Sequence, residues 1–236
     1  MNPSTMRLFY CCSLLLCFCC APATAWSQEI CDNGVDDDAD GLIDLNDATD
    51  CRCRQEVDLT DSIMVNPSFE DRVLCPMSYS YMSYVVGWTQ ATYSTSDYFN
   101  QCGFFPSWIP TPLPDGQGCV GGYQTNGYQE YVGTCLNGTL LAGEHYTIRL
   151  SMAAFLADNF ELQSVLPINF GATDIVVWGL SICPNWPLTE ACLDDEQGIS
   201  VIGTVSYTPS NDWQSISITV SPAQDVNAII IGGPCT

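Results

Sequence analysis

Between residues 145 and 152 the chain alternates. Tyr146, Ile148, Leu150 and Met152 are apolar, and Thr147, Arg149 and Ser151 lie between them. A period of two sends successive side chains to opposite faces of an extended backbone, so this stretch predicts a strand with one buried face. Short apolar runs bounded by turn residues recur at 62–65, 84–88, 128–135, 145–155, 173–183, 199–208, 213–220 and 226–232. No stretch after residue 58 keeps a helical period. Many short strands in one continuous region predict an all-β fold, an antiparallel β-sandwich over 58–236.

The first 57 residues follow a different pattern. After Arg7 an apolar run, LFYCCSLLLCFCC, leads into the small residues of APATAWSQE. That is the pattern of an export signal over 1–25, with cleavage after Ala25, or after Ser27 as the alternative. The run falls short of the roughly 18 apolar residues a membrane span needs, and no later stretch approaches that length. Cys17, Cys19 and Cys20 follow Leu, Phe and Cys rather than a small residue, which argues against a lipid anchor.

Charge narrows the partners. The 236 residues carry 27 Asp and Glu against five Arg and no Lys, a net charge of −22. A surface so poor in basic residues disfavours nucleic acid and anionic membrane, and favours a cation or a neutral ligand such as a sugar. Five of the 15 cysteines fall in the leader, which leaves ten. An even number in an exported chain reads as disulfides. Proximity suggests Cys31 with Cys51, Cys75 with Cys102, Cys119 with Cys135, and Cys183 with Cys192, leaving Cys53 and Cys235 unassigned; sequence alone does not fix the pairing. Structural zinc fits less well, because Cys51 and Cys53 are too closely spaced and the sole histidine is His145.

Eight aspartates and no basic residue lie between Cys31 and Cys51. Like charges at that density repel unless a cation neutralises them. With Asp36 as position 1, Asp38 falls at 3, Asp40 at 5, Gly41 at 6, Leu42 at 7, Asp44 at 9 and Asp47 at 12. This is the register of an EF-hand-type calcium loop, in which alternate carboxylates converge, Gly41 permits the turn, Leu42 offers its carbonyl and Ile43 is the inward apolar anchor. Position 12 is usually Glu, and the shorter Asp47 would reach the ion less well. A flexible all-oxygen loop suits Ca2+ better than Mg2+. The flanks carry no amphipathic helices, so the segment 29–57 resembles the short Asp-rich calcium repeats of secreted bacterial proteins and thrombospondin type 3 modules. The competing reading is a solvated acidic linker.

Across 62–236, the ordered landmarks NPSFED (66–71), CP (75–76), GW (87–88), SDYFNQC (96–102), PDGQGCVGGYQTNGYQEYVGTCL (114–136), LAGEHYTIRLSM (141–152) and AIIIGGPC (228–235) resemble the N-terminal jelly-roll domains of gliding-motility-associated, type IX-secreted bacterial surface proteins. The opening NPSFE and GW are also similar to jelly-roll carbohydrate-binding modules. That second resemblance implies a structural calcium at Glu70, helped by an Asp near a last strand. No such strand or Asp occurs before Thr236, so it implies a sandwich lacking its last strand and leaves the Glu70 site in question.

Catalytic chemistry is thinly supported. His145 has no nucleophile motif beside it, and the absence of lysine removes Schiff-base and Ser–Lys schemes. Glu130 with Glu144 or Asp158 is a formal carboxylate pair of the kind glycosidases use, but any acidic chain offers such pairs. The Gly-rich GCVGGY (118–123) does not lead from a strand into a helix, as a phosphate loop would. Aromatics are the better lead: Tyr123, Tyr128 and Tyr131 stand among Gln, Asn and Glu130, with Trp88 and Tyr98 in nearby landmarks. Flat apolar faces beside amides and carboxylates are what a sugar site needs, although the same residues also pack sandwich cores. Three functions follow: a non-catalytic, calcium-binding surface adhesion module that recognises glycan, a structural spacer or protein-interaction domain, and a carbohydrate-active hydrolase.

Overall fold

The computed structural model describes residues 33–43, 57–125, 128–154, 171–189, 192–193 and 198–235. The chain divides into two compact units, Met1–Val57 and Asp58–Thr236. In the second unit the strands in chain order are β1 (Trp88–Gln90), β2 (Asp97–Asn100), β3 (Gly118–Gly121), β4 (Gln124–Thr125), β5 (Tyr128–Gln129), β6 (Val132–Leu140), β7 (Tyr146–Met152), β8 (Thr173–Leu180), β9 (Ile199–Tyr207), β10 (Gln214–Val220) and β11 (Val226–Gly232). The unit is an all-β antiparallel sandwich. A five-stranded sheet in the order β1-β6-β11-β8-β9 is one layer, and the pair β10-β7 packs on one of its faces.

The apolar pattern dictates this layering. Ile175 and Val177 of β8 turn to one side and join Ile202, Val226, Ile229, Ile218 and Val220 in a core against the β10-β7 pair. Val176, Trp178 and Leu180 turn to the opposite side and join Ala228, Ile230 and Tyr131 in a second core. Because both faces of β8 are covered, it reads as a continuous apolar run. β7 is packed on one face only, so it alternates from half-buried to exposed along its whole length.

The chain departs from its local pattern at 62–65 and 84–88, and the run 128–135 is interrupted between β5 and β6. The run at 62–65 begins inside a single α-helical turn, α1 (Thr60–Ile63), rather than a strand. The Asp58 carboxylate accepts from the Thr60 N–H at 2.9 Å, a local side-chain turn just before the helix that competes with an extended backbone. At 84–88, a 3₁₀ turn (Met82–Tyr84) precedes an isolated bridge from Val85 to Arg72, and β1 begins only at Trp88.

Among the described residues three disulfides are present: Cys75–Cys102, Cys135–Cys183 and Cys192–Cys235. The first is the expected pair. The expected pairs Cys119–Cys135 and Cys183–Cys192 are not formed. Ala228 on β11 lies opposite both Cys135 on β6 and Leu180 at the end of β8, so the strand order brings Cys183 to Cys135. Cys119 is a free thiol buried with Phe99, Ile109 and Leu113, and burial pushes it up to about 12. Cys31, Cys51 and Cys53 lie outside the described residues.

Candidate functional site

The acidic loop is held by its own side chains. The Val35 N–H donates to Asn33 Oδ1 (2.8 Å), Asp40 N–H to Asp38 Oδ1 (3.0 Å), Gly41 N–H to Asp36 Oδ2 (3.1 Å) and Leu42 N–H to Asp40 Oδ1 (2.8 Å). Gly41 has φ +94°, a left-handed conformation that costs glycine little. Asp36, Asp38 and Asp40 each bring a carboxylate oxygen to within 4.8 Å of the others, whereas Asp37 accepts from Asn33 Nδ2 at 2.7 Å. Asp36 Oδ1 is buried and accepts no hydrogen bond among the described residues. Three converging anions with one orphaned oxygen fit the ligand half-shell of a hard cation, since carboxylates so close are costly without a counter-charge. Asp44 and Asp47 lie outside the described residues. Ile43 is 42% exposed, so in this arrangement it is not the inward anchor its position suggested; Leu42 is similarly open.

The aromatic candidates separate into two groups. Trp88, Tyr98 and Tyr131 are buried, the latter two completely. The Trp88 ring lies tilted against Phe69, centroids 5.1 Å apart, and its Nε1 donates to the carbonyls of Val65 (2.9 Å) and Asn66 (3.1 Å). The Tyr98 hydroxyl donates to Phe69 O (3.0 Å) and accepts from Asn100 Nδ2 (3.0 Å). Tyr131 meets Trp178 edge-on at 5.3 Å. These three rings are core, and a sugar does not reach them. Tyr128 is exposed and Tyr123 half-buried, with ring centroids 6.4 Å apart.

Glu70 belongs to the same framework as the buried rings. Its Oε1 accepts from the Gln117 N–H (2.6 Å) and the Gly118 N–H (2.7 Å), and Gly116, at φ +61°, turns tightly around the carboxylate. Asn66 fastens the loop from inside by donating to Asp71 O and Val86 O and accepting from Asp71 N–H. The landmarks NPSFE, GW, SDYFN and GQG therefore meet in space as one fastening.

Glu130 lies beside the two open tyrosines. Its Oε2 accepts from the Tyr123 N–H (2.7 Å), and its Oε1 from the hydroxyls of Tyr128 (3.0 Å) and Thr95 (3.4 Å). Burial pushes its carboxyl up, and these three donors partly offset the shift. The carboxylate on which its charge acts is Asp97, and Asp158 lies outside the described residues. Asp97 is pushed up to about 6, first by burial and then by the Glu130 charge, against the Ser80 N–H that donates to it. Asp97 went unnoticed in the sequence because its distance from Glu130 along the chain matches no motif. Its one legible signal is the alternation of 93–98, which sets Tyr93, Thr95 and Asp97 on one side.

No helix among the described residues is long and apolar enough to cross a membrane. The chain matches no protein-family model and no curated protein.

Proposed function

We propose that the protein is an exported, non-catalytic surface module whose acidic loop holds Ca2+ and whose sandwich presents a glycan-contacting face, as the resemblance to type IX-secreted jelly rolls implies. The observation that carries it is the convergence of Asp36, Asp38 and Asp40, together with a buried Asp36 Oδ1 that accepts no hydrogen bond among the described residues. Asp44, Asp47 and the Leu42 carbonyl would complete an oxygen shell of the size calcium takes. For recognition, the support is the Tyr123 and Tyr128 pair beside Glu130. Calorimetry tests the loop: wild type releases heat with calcium and the Asp36→Ala, Asp40→Ala double variant does not. Equal heats for both would refute the site. A glycan array in millimolar calcium tests recognition.

A spacer or docking domain is the second reading, favoured by the burial of Trp88, Tyr98 and Tyr131. An array without a single hit selects it. Hydrolysis is tested by turnover of labelled polysaccharide.

A further inference from the structure

Exposure alternates along 93–98 up to the start of β2. Tyr93 is 66% exposed, Thr95 exposed and Asp97 half-buried, while Ser94, Ser96 and Tyr98 are buried between them. The Thr95 hydroxyl reaches Glu130 at 3.4 Å, which sets this row beside the β4–β5 hairpin and its Tyr123 and Tyr128. The surface so formed carries two carboxylates and three tyrosines.

Arg72 and Arg149 bracket a stretch in which Asp97, Asp115, Glu130 and Glu144 are the charged residues, all acidic. Among the described residues Arg72 donates to the Glu70 carbonyl and Arg149 lies on β7, and a cationic ligand would complement the charge of Asp97 and Glu130. We infer that this surface binds a glycan carrying free amino groups, with Asp97 and Glu130 receiving an ammonium and Tyr93, Tyr123 and Tyr128 contacting the sugar rings.

The inference rests on the glycan reading above and adds the charge of the ligand. Calcium suits this surface less well: three of the roughly four lone-pair sites on Glu130 already accept protein donors, and calcium takes six to eight oxygens. An ammonium needs few acceptors and is attracted to aromatic faces, and the C–H face of a pyranose packs on the same rings. The upward shifts of both carboxyls fit this reading, since a bound cation favours their charged forms.

The test is calorimetric titration with a glucosamine trimer and with its N-acetylated counterpart near neutral pH. The free-amine trimer should bind about tenfold tighter or better, and Asp97→Asn, Glu130→Gln and Tyr128→Ala should each weaken it about tenfold. Asp174→Asn removes the same charge from β8 and should leave binding unchanged. Equal weakening by Asp174→Asn overturns the inference, because attraction to the acidic chain as a whole would then explain the affinity. Equal affinity for the two trimers overturns the amine requirement and leaves the glycan reading standing. Binding of neither overturns the inference, and the array of neutral glycans decides the broader reading separately. If Glu130→Gln disturbs the hairpin, Tyr93→Ala keeps the test decisive, because a side chain so exposed contributes little to the fold.

Discussion

The acidic loop and the sandwich hold their shapes by opposite means. No residue in 33–43 is buried, and its order comes from backbone N–H groups donating to its own Asn and Asp side chains. In the sandwich, order comes from apolar faces closed on both sides of β8 and β11. A shape made of converging anions is only as stable as its counter-charge, so it depends on ligand concentration; a shape made of buried apolar area does not. On the proposed calcium reading, one chain carries a conditional element and an unconditional one.

The strongest way to break that contrast is Trp178→Ala. Trp178 is 2% exposed in the second core, and its removal should cost about 3–5 kcal/mol. The melting temperature of the sandwich should fall sharply while the calcium heat of the loop stays near its wild-type value. Loss of the calcium heat at temperatures where the variant remains folded would show that the two elements are energetically one.

How much of this was legible depends on whether the deciding contacts were local. β8 through β11 follow directly from their apolar runs, because the side chains that bury them lie within the strand itself. β2 and β3 escaped prediction: Tyr98 and Phe99 are adjacent and buried on opposite faces, and Gly118 and Gly121 offer no pattern. The choice of aromatic residues was legible but not their direction, since Trp88 and Tyr98 are turned inward by partners at Val65, Asn66 and Phe69. Cysteine pairing by proximity held for Cys75 and Cys102 and failed where strand order decided, at Cys135 and Cys183. The register of Asp36, Asp38 and Asp40 was legible because a loop that folds on itself needs no distant partner.

A second test concerns Glu70. Two backbone N–H groups donate to its Oε1, and hydrogen bonds to a charged group contribute about 1.5–3 kcal/mol. Glu70→Ala should therefore destabilise the sandwich by about 2 kcal/mol, and Glu70→Gln, which keeps an oxygen acceptor, by less. Neither should change the number of calcium ions bound. Chelator should expose the loop to protease and leave the sandwich melting temperature where it was. A melting temperature that falls with chelator in wild type, but not in Glu70→Ala, would move a calcium ion into the sandwich.

The smallest effect sharpens the contrast inside the sandwich itself, at a corner where it too holds neighbouring anions. Asp97 is raised to about 6 by burial and by Glu130, above the ordinary carboxylate value near 4 in an unfolded chain. A raised folded value means that the folded state holds the proton more tightly. The stabilisation is then complete below the unfolded value and is lost as pH rises through about 6. Acidification from neutral toward pH 5 should thus raise the stability of the sandwich. Asp97→Asn stays neutral at every pH and keeps an oxygen to accept the Ser80 N–H. It should remove this slope and, near neutral pH, exceed wild type by about 1 kcal/mol once solvent screening of a partly exposed group is allowed for. Melting curves at a series of pH values decide the matter. Parallel pH profiles for the two proteins would show that Asp97 carries no such cost, and that the anions of the sandwich are compensated by contacts within it.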